Sequence, residues 1–190
     1  MYGGTFDPPH NAHLQLAKIT AEQLALDALY FIPSAQHPLK NRSGISTVEV
    51  RIEMLEKALE NYPMFRISQI ERDRSDISYT IDTIKQFCEY ERTGEADLYF
   101  IVGMDNIDEF HLWKNPDEIF REANVVALRR SGSENPPLLE KYKDRIIILD
   151  TPLIDISSTQ IREKIRMGDN CHDLLPPGIP EIIKKYNLYH

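Results

Sequence analysis

Between Gly3 and His13 the chain reads Gly3-Gly4-Thr5-Phe6-Asp7-Pro8-Pro9-His10-Asn11-Ala12-His13, which sets main-chain amides and two imidazoles around one small volume. Paired glycines let a backbone pass close to an anion with no Cβ in the way. Pro8-Pro9 stiffens the approach to a helix starting near Asn11. His10 and His13 are three apart, so a helix begun by His10 would put them on one face, about a turn from each other. The amides of that helix start would attract phosphate as well. This is a way to hold a triphosphate. The same residues also read as ordinary loop punctuation followed by surface or metal-binding histidines.

A second segment, Ile156-Ser157-Ser158-Thr159-Gln160-Ile161-Arg162, places three hydroxyls before an apolar-periodic run. Helix capping accounts for Ser157 or Ser158. It does not account for Arg162, because a cation in the first turn opposes the helix dipole. An anion shared by amides, hydroxyls and the guanidinium would resolve that conflict.

Together the two segments resemble the first and last motifs of the nucleotidylyltransferase superfamily, and within it the nicotinate-nucleotide adenylyltransferases of bacteria. Ser78-Tyr79-Thr80-Ile81-Asp82-Thr83, Phe100-Ile101-Val102-Gly103-Met104-Asp105, Leu112-Trp113-Lys114 and the stretch from Asp173 to Tyr189 carry the narrower likeness, which covers nearly the whole chain. The resemblance implies transfer of the adenylyl group of ATP to nicotinate mononucleotide, giving deamido-NAD and pyrophosphate. It implies catalytic roles for His10, His13 and Arg162. The amides of Gly4, Thr5 and Phe6 and the hydroxyls of Ser158 and Thr159 would complete an ATP cradle, with Gly103 and Asp105 at the ribose. Lys40 would meet the mononucleotide phosphate, Thr80 would sit beside the nicotinate, and Trp113 would stack on its ring. Mg²⁺ would be held chiefly by phosphates and water, with no residue of the chain as a dedicated metal ligand.

For several of these residues a plainer reading stands beside the implied one. Asp105 and Thr80 are placed to cap helices. A lone tryptophan such as Trp113 is often core. Two positions depart from the family pattern. Ala12 stands where the family has glycine, a change a helix tolerates. Leu39 stands where it usually has histidine, and His37 either compensates or is an exposed loop residue. Within the superfamily the rival acceptors are nicotinamide mononucleotide and phosphopantetheine. From another class, a nucleotide-binding regulator without turnover would keep the phosphate loop and lose a histidine, and both histidines are present.

Positioning these groups requires an α/β architecture, since short apolar runs alternate with amphipathic ones. The pattern predicts helices over 12–26, 48–61 and 81–91, strands over 29–32, 65–70, 98–102, 125–128 and 146–149, a short helix pair before 125, and two helices near the end. Ser46-Thr47-Val48-Glu49 has the spacing of a capping box. The expected fold is a single Rossmann-like domain, residues 1–190, with a doubly wound parallel sheet and helices on both faces. Gly103-Met104-Asp105 follows an apolar strand and so belongs at the ligand-binding edge of such a sheet. Only Met1 and Tyr2 precede the glycine pair, where the family has a central strand. A chain that starts late in that strand is the expectation, because losing a buried strand would leave its neighbours' ladder groups unpaired.

At 190 residues the chain is long enough for one well-buried core. Its formal charge of −8 argues against a nucleic-acid surface, which would be basic over a broad face. ATP needs only a few focused cations. No apolar run approaches the ~20 residues of a membrane span, and no leader is evident. A cytosolic protein with two reduced thiols, Cys88 and Cys171, is expected. The expected partners are therefore ATP and nicotinate mononucleotide, with no nucleic acid and no membrane, and with a homo-oligomer left open.

Overall fold

The computed structural model describes residues 1–35, 44–72, 78–91, 97–130 and 139–190, apart from the side chains of Asp105, Arg130 and Leu139. Six strands form one all-parallel sheet: β1 (Tyr2–Gly4), β2 (Leu29–Pro33), β3 (Phe65–Ile67), β4 (Tyr99–Gly103), β5 (Asn124–Arg130) and β6 (Ile146–Thr151). Their order is β3-β2-β1-β4-β5-β6, so β1 is central and the winding reverses between β1 and β4. Ligands of doubly wound sheets sit at that reversal, beyond the carboxyl ends of the strands.

Eight helices connect and cover these strands among the described residues: α1 (Asn11–Gln23), α2 (Val48–Leu59), α3 (Thr80–Glu91), α4 (Asp105–Glu109), α5 (Pro116–Glu122), α6 (Leu139–Tyr142), α7 (Ser158–Met167) and α8 (Ile179–Lys185). Alternation along each strand divides the apolar residues between two cores. Phe31, Ile101 and Val126 pack with Leu14, Leu55, Ile161 and Ile183, from α1, α2, α7 and α8. Ile32, Phe100, Val102, Val125 and Ala127 pack with Ile84, Ile107 and Ile119, from α3, α4 and α5. Helices therefore lie on both faces. No helix among the described residues is long and apolar enough to cross a membrane.

β1 is short but central. Tyr2, Gly3 and Gly4 pair with Phe31, Ile32 and Pro33, and Tyr2 with Ile101. The Ile101 N–H donates to the Met1 carbonyl at 2.9 Å, so the ladder to β4 continues through Met1.

Three local expectations need correction. The capping box at Ser46 does not form. Thr47 is the α2 N-cap and makes no side-chain cap bond, while the Ser46 N–H donates to the Asp7 carboxylate at 3.0 Å. A distant carboxylate has outcompeted the local cap. Strand β3 ends at Ile67, short of residue 70. Helix α1 begins at Asn11, with His10 as an extended N-cap (φ −142°), so His10 lies before the helix and not on its face.

Candidate active site

A cleft of about 1040 Å³ opens at the carboxyl ends of β1 and β4. Small-molecule sites run up to ~1,000 Å³, so this one has room for a dinucleotide-sized occupant. Its wall includes Gly4, Thr5, Phe6, His10, His13, Thr80, Gly103, Trp113, Ser158, Thr159 and Arg162. Lys40, with His37 and Leu39, lies outside the described residues, as does the side chain of Asp105, the first residue of α4.

The loop after β1 is shaped by steric demand. Phe6 takes a left-handed backbone (φ +51°) and turns its ring into the core, 2 % exposed. A Cβ on Gly4 would lie 2.8 Å from that ring, so Gly4 makes room for Phe6 as well as keeping the backbone open toward the cleft. Among the described residues, none accepts a hydrogen bond from the main-chain N–H of Thr5 or Phe6.

His10 and His13 stack, their ring centroids 3.6 Å apart and their planes 24° from parallel. Although His10 precedes the helix, the cap geometry brings the rings together. The His10 N–H donates to His13 Nδ1 at 3.2 Å, which leaves the His13 proton on Nε2. Among the described residues, none partners the buried His10 Nδ1. Burial pushes His10 down to about 4 and His13 well below its ordinary value, with His10 adding a smaller charge repulsion at His13. Both imidazoles are neutral at pH 7. An arriving polyanion would offset that desolvation and favour their charged forms.

Helix α7 brings the second motif against the first. Ser157 is its N-cap and exchanges bonds with Gln160 in a capping box. Ser158 is thereby released from capping, and its hydroxyl donates to the Pro8 carbonyl at 2.9 Å. Arg162 donates to the Asp7 carbonyl at 2.8 Å and to the Thr159 hydroxyl at 3.2 Å. Because α7 begins at Ser158, Arg162 is its fifth residue and lies past the first turn where the sequence had placed it, and its guanidinium already has a partial negative charge beside it in the Asp7 carbonyl.

On the opposite wall, α3 begins at Thr80, with the Thr83 N–H donating to the Tyr79 carbonyl. Thr80 is therefore inside the first turn and not its cap. Trp113 is half-buried. It stacks on Phe110 (4.9 Å, 30°) while also lining the cleft, so it serves core and cleft together. Lys114 pairs with Asp82 at 2.9 Å and lies over the Tyr79 ring at 4.8 Å.

Several buried polar residues around the cleft were not singled out from sequence. Asp7, fully buried, receives the Tyr189 hydroxyl at 2.7 Å besides the Ser46 N–H. Arg51 donates to the carbonyls of Thr5, Ser34 and Ser46. Glu71 receives the Thr83 hydroxyl at 2.6 Å and the Ala35 N–H at 3.3 Å. Arg51 did leave a signal: with Met54, Leu55 and Ala58 it falls on a stripe at helical spacing, where a cation is out of place.

The sequence pattern of the cytidylyltransferase-like family matches residues 1–164. A Clostridium tetani protein named "Probable nicotinate-nucleotide adenylyltransferase" is 42% identical, over 100% of this chain and 97% of its own. A Lactiplantibacillus plantarum protein of the same name is 38% identical, over 98% of this chain and 85% of its own. The chain belongs to this family. Its fold is also that of the Plasmodium falciparum nicotinic acid mononucleotide adenylyltransferase in complex with NaAD, with a TM-score of 0.80 at 20% identity, over 99% of this chain and 95% of that one. Family membership accounts for the conjunction of the two motifs, which join side by side on one wall of the cleft.

Proposed function

We propose that the protein transfers the adenylyl group of ATP to nicotinate mononucleotide. The observation that carries this reading is the seam between the two motifs. Arg162 on the Asp7 carbonyl and Ser158 on the Pro8 carbonyl bring a guanidinium, a helix N-terminus and the His10/His13 pair around one polyanion-sized space. The names and identities of the curated relatives support the same reaction.

A phosphate oxygen of the mononucleotide attacks the α-phosphorus of ATP in line. The bond from that phosphorus to the bridging oxygen breaks, and pyrophosphate leaves. Such transfers depend on positioning and on charge stabilisation. In this reading His13 Nε2–H and Arg162 hold the ATP phosphates as charge builds, and His10 meets the α-phosphate or the incoming phosphate. The Gly4, Thr5 and Phe6 amides and the Ser158 and Thr159 hydroxyls complete the cradle. Gly103 and Asp105 hold the ribose, and Lys40 holds the mononucleotide phosphate. Trp113 stacks on the pyridine ring beside Thr80.

Mg²⁺ belongs to this reading as a companion of the nucleotide. In this reading the ion is carried chiefly by phosphates and water. When bound it would neutralise phosphate charge. We place the reaction in the cytosol, a reading supported by the free thiols of Cys88 and Cys171.

Nicotinate carries a carboxylate where nicotinamide carries an amide. N–H donors at the start of α3 would favour the acid through the dipole and charge-assisted bonds. The amide would leave donors facing donors, at ~1–3 kcal/mol for each buried mismatch, so two mismatches give about a hundredfold preference. The test is to supply ATP, magnesium and each mononucleotide and to follow pyrophosphate. Release with nicotinate mononucleotide, at about a hundredfold higher kcat/KM than with the amide, is expected. Equal turnover of the two would overturn the acceptor assignment, and no release with either would overturn adenylyl transfer.

A further inference from the structure

Residues that never line the cleft hold its phosphate-facing loop from behind. Asp7 is fully buried, and both of its carboxylate oxygens have partners drawn from far along the chain. Oδ1 accepts the Tyr189 hydroxyl at 2.7 Å, and Oδ2 accepts the Ser46 N–H at 3.0 Å. The main-chain carbonyl of the same residue accepts from Arg162 at 2.8 Å. One residue thus joins residue 189 on its side-chain end to the candidate phosphate-binding arginine on its backbone end. Tyr189 itself is 9 % exposed and takes a left-handed backbone (φ +66°), a conformation a side chain adopts only when its surroundings fix it. Ser46 closes the arrangement by donating its hydroxyl to the phenol oxygen at 3.3 Å.

We propose that Tyr189 and Asp7 are positioning residues for the nucleotide: the Tyr189 hydroxyl pins the Asp7 side chain, and with it the Asp7 carbonyl that aims Arg162 into the cleft. This rests on the adenylyl-transfer reading. Neither residue touches substrate. The phenol stays protonated across the working pH range, since burial first and the Asp7 carboxylate second push it up, so it remains a donor. Small displacements of a group that positions a reacting phosphate are felt in rate.

The test uses the full chain with Tyr189→Phe, and with Ser46→Ala as a milder change that leaves the Ser46 N–H on Asp7. Tyr189→Phe should lower kcat/KM for ATP by about tenfold, leaving KM for the mononucleotide within about twofold. In an Arg162→Lys background the same substitution should cost less than about twofold, because the group it aims is already impaired. Tyr186→Phe, which removes a hydroxyl bonded to Glu53 at the surface, should leave the kinetics unchanged. Additive losses in the double variant, or equal losses in Tyr186→Phe, would reduce Tyr189 to a general packing residue and overturn the proposal. So would ATP kinetics within twofold of the parent in both Tyr189→Phe and Ser46→Ala.

Titration with a non-hydrolysable ATP analogue separates the two ideas. If the parent transfers no adenylyl group, the functional reading fails, and positioning is still judged by whether Tyr189→Phe binds the analogue about tenfold more weakly. If the parent turns over and Tyr189→Phe matches it in both assays, positioning alone fails.

Discussion

On the wall built from residues 4–13 and 158–162, polar side chains end on main-chain groups: Ser158 on the Pro8 carbonyl, Arg162 on the Asp7 carbonyl, and His13 Nδ1 on the His10 N–H. On the facing wall, Trp113 leans on Phe110 and Lys114 reaches an Asp82 carboxylate that is itself 45% exposed. A main-chain partner cannot rotate away, so the first wall is fixed before any ligand arrives. An exposed ion pair is worth little and competes with water. The difference follows the demands of the proposed chemistry. Stabilising charge that appears only in the transition state requires donors already in place, whereas a flat ring needs only a flat surface.

The largest expected effect comes from breaking the fixed wall. His13→Ala should lower kcat by ~10²–10³ with the fold retained by circular dichroism, since in the proposed reaction His13 faces charge that grows during transfer. A loss under about threefold would show that the two walls do not differ in catalytic weight. On the other wall, Trp113→Ala should raise KM for the mononucleotide by about tenfold, with kcat changed far less, because stacking of ~1–3 kcal/mol is felt in ground state and transition state alike. Steady-state kinetics separate the two patterns, and a loss confined to kcat would make Trp113 part of the charge-stabilising machinery.

Acidification probes the imidazoles, and comparison with a histidine variant separates them from the carboxylates that hydrogen bonds or Lys and Arg neighbours hold down, such as Glu53 and Glu118. Burial holds His10 down to about 4 and His13 well below its ordinary value, so on descending from pH 6.5 the unfolded chain takes up protons that the folded chain refuses. The unfolded state binds more protons throughout that window. Stability therefore falls as pH falls from 6.5 toward 4, by up to about 1.4 kcal/mol per pH unit for each histidine. Calorimetric unfolding of His10→Asn should show a shallower slope over this range than the parent, and equal slopes would mean the histidines are not buried as neutral rings. The smallest effect is expected for Asp82→Asn, which removes the exposed partner of Lys114 and should change stability by under about 1 kcal/mol in a denaturant titration.

Much of the fold was legible because its signal is local. The unbroken apolar runs Phe100-Ile101-Val102 and Val125-Val126-Ala127 are what a sheet buried on both faces demands, and the structure divides successive residues between two cores as the strand period requires. The candidates within Gly3–His13 and Ile156–Arg162 line the cleft together because each set sits in one contiguous motif, whereas Lys40 lies outside the described residues and Glu71, which also lines the cleft, carried no such motif. What the sequence hid is long-range. Ser46 has the spacing of a cap, and only the fold reveals that a carboxylate 39 residues away takes its N–H. Tyr189 gives no sign that its hydroxyl will meet Asp7 across a separation of 182 residues. His10 illustrates a subtler gap: the stack with His13 was reached through an extended N-cap and not through a shared helical face.

The seam between Pro8 and Ser158 spans 150 residues of chain, and that between Asp7 and Arg162 spans 155. Closing loops of this length is slow and comes after local structure has formed. During synthesis, a chain that has emerged only as far as β6 carries the glycine loop and both histidines but lacks the guanidinium and helix start that complete the proposed cradle. Nucleotide binding would therefore switch on late, with the arrival of α7. A ligand added during refolding should accordingly hasten or stabilise only the last step, leaving the early collapse of the sheet untouched.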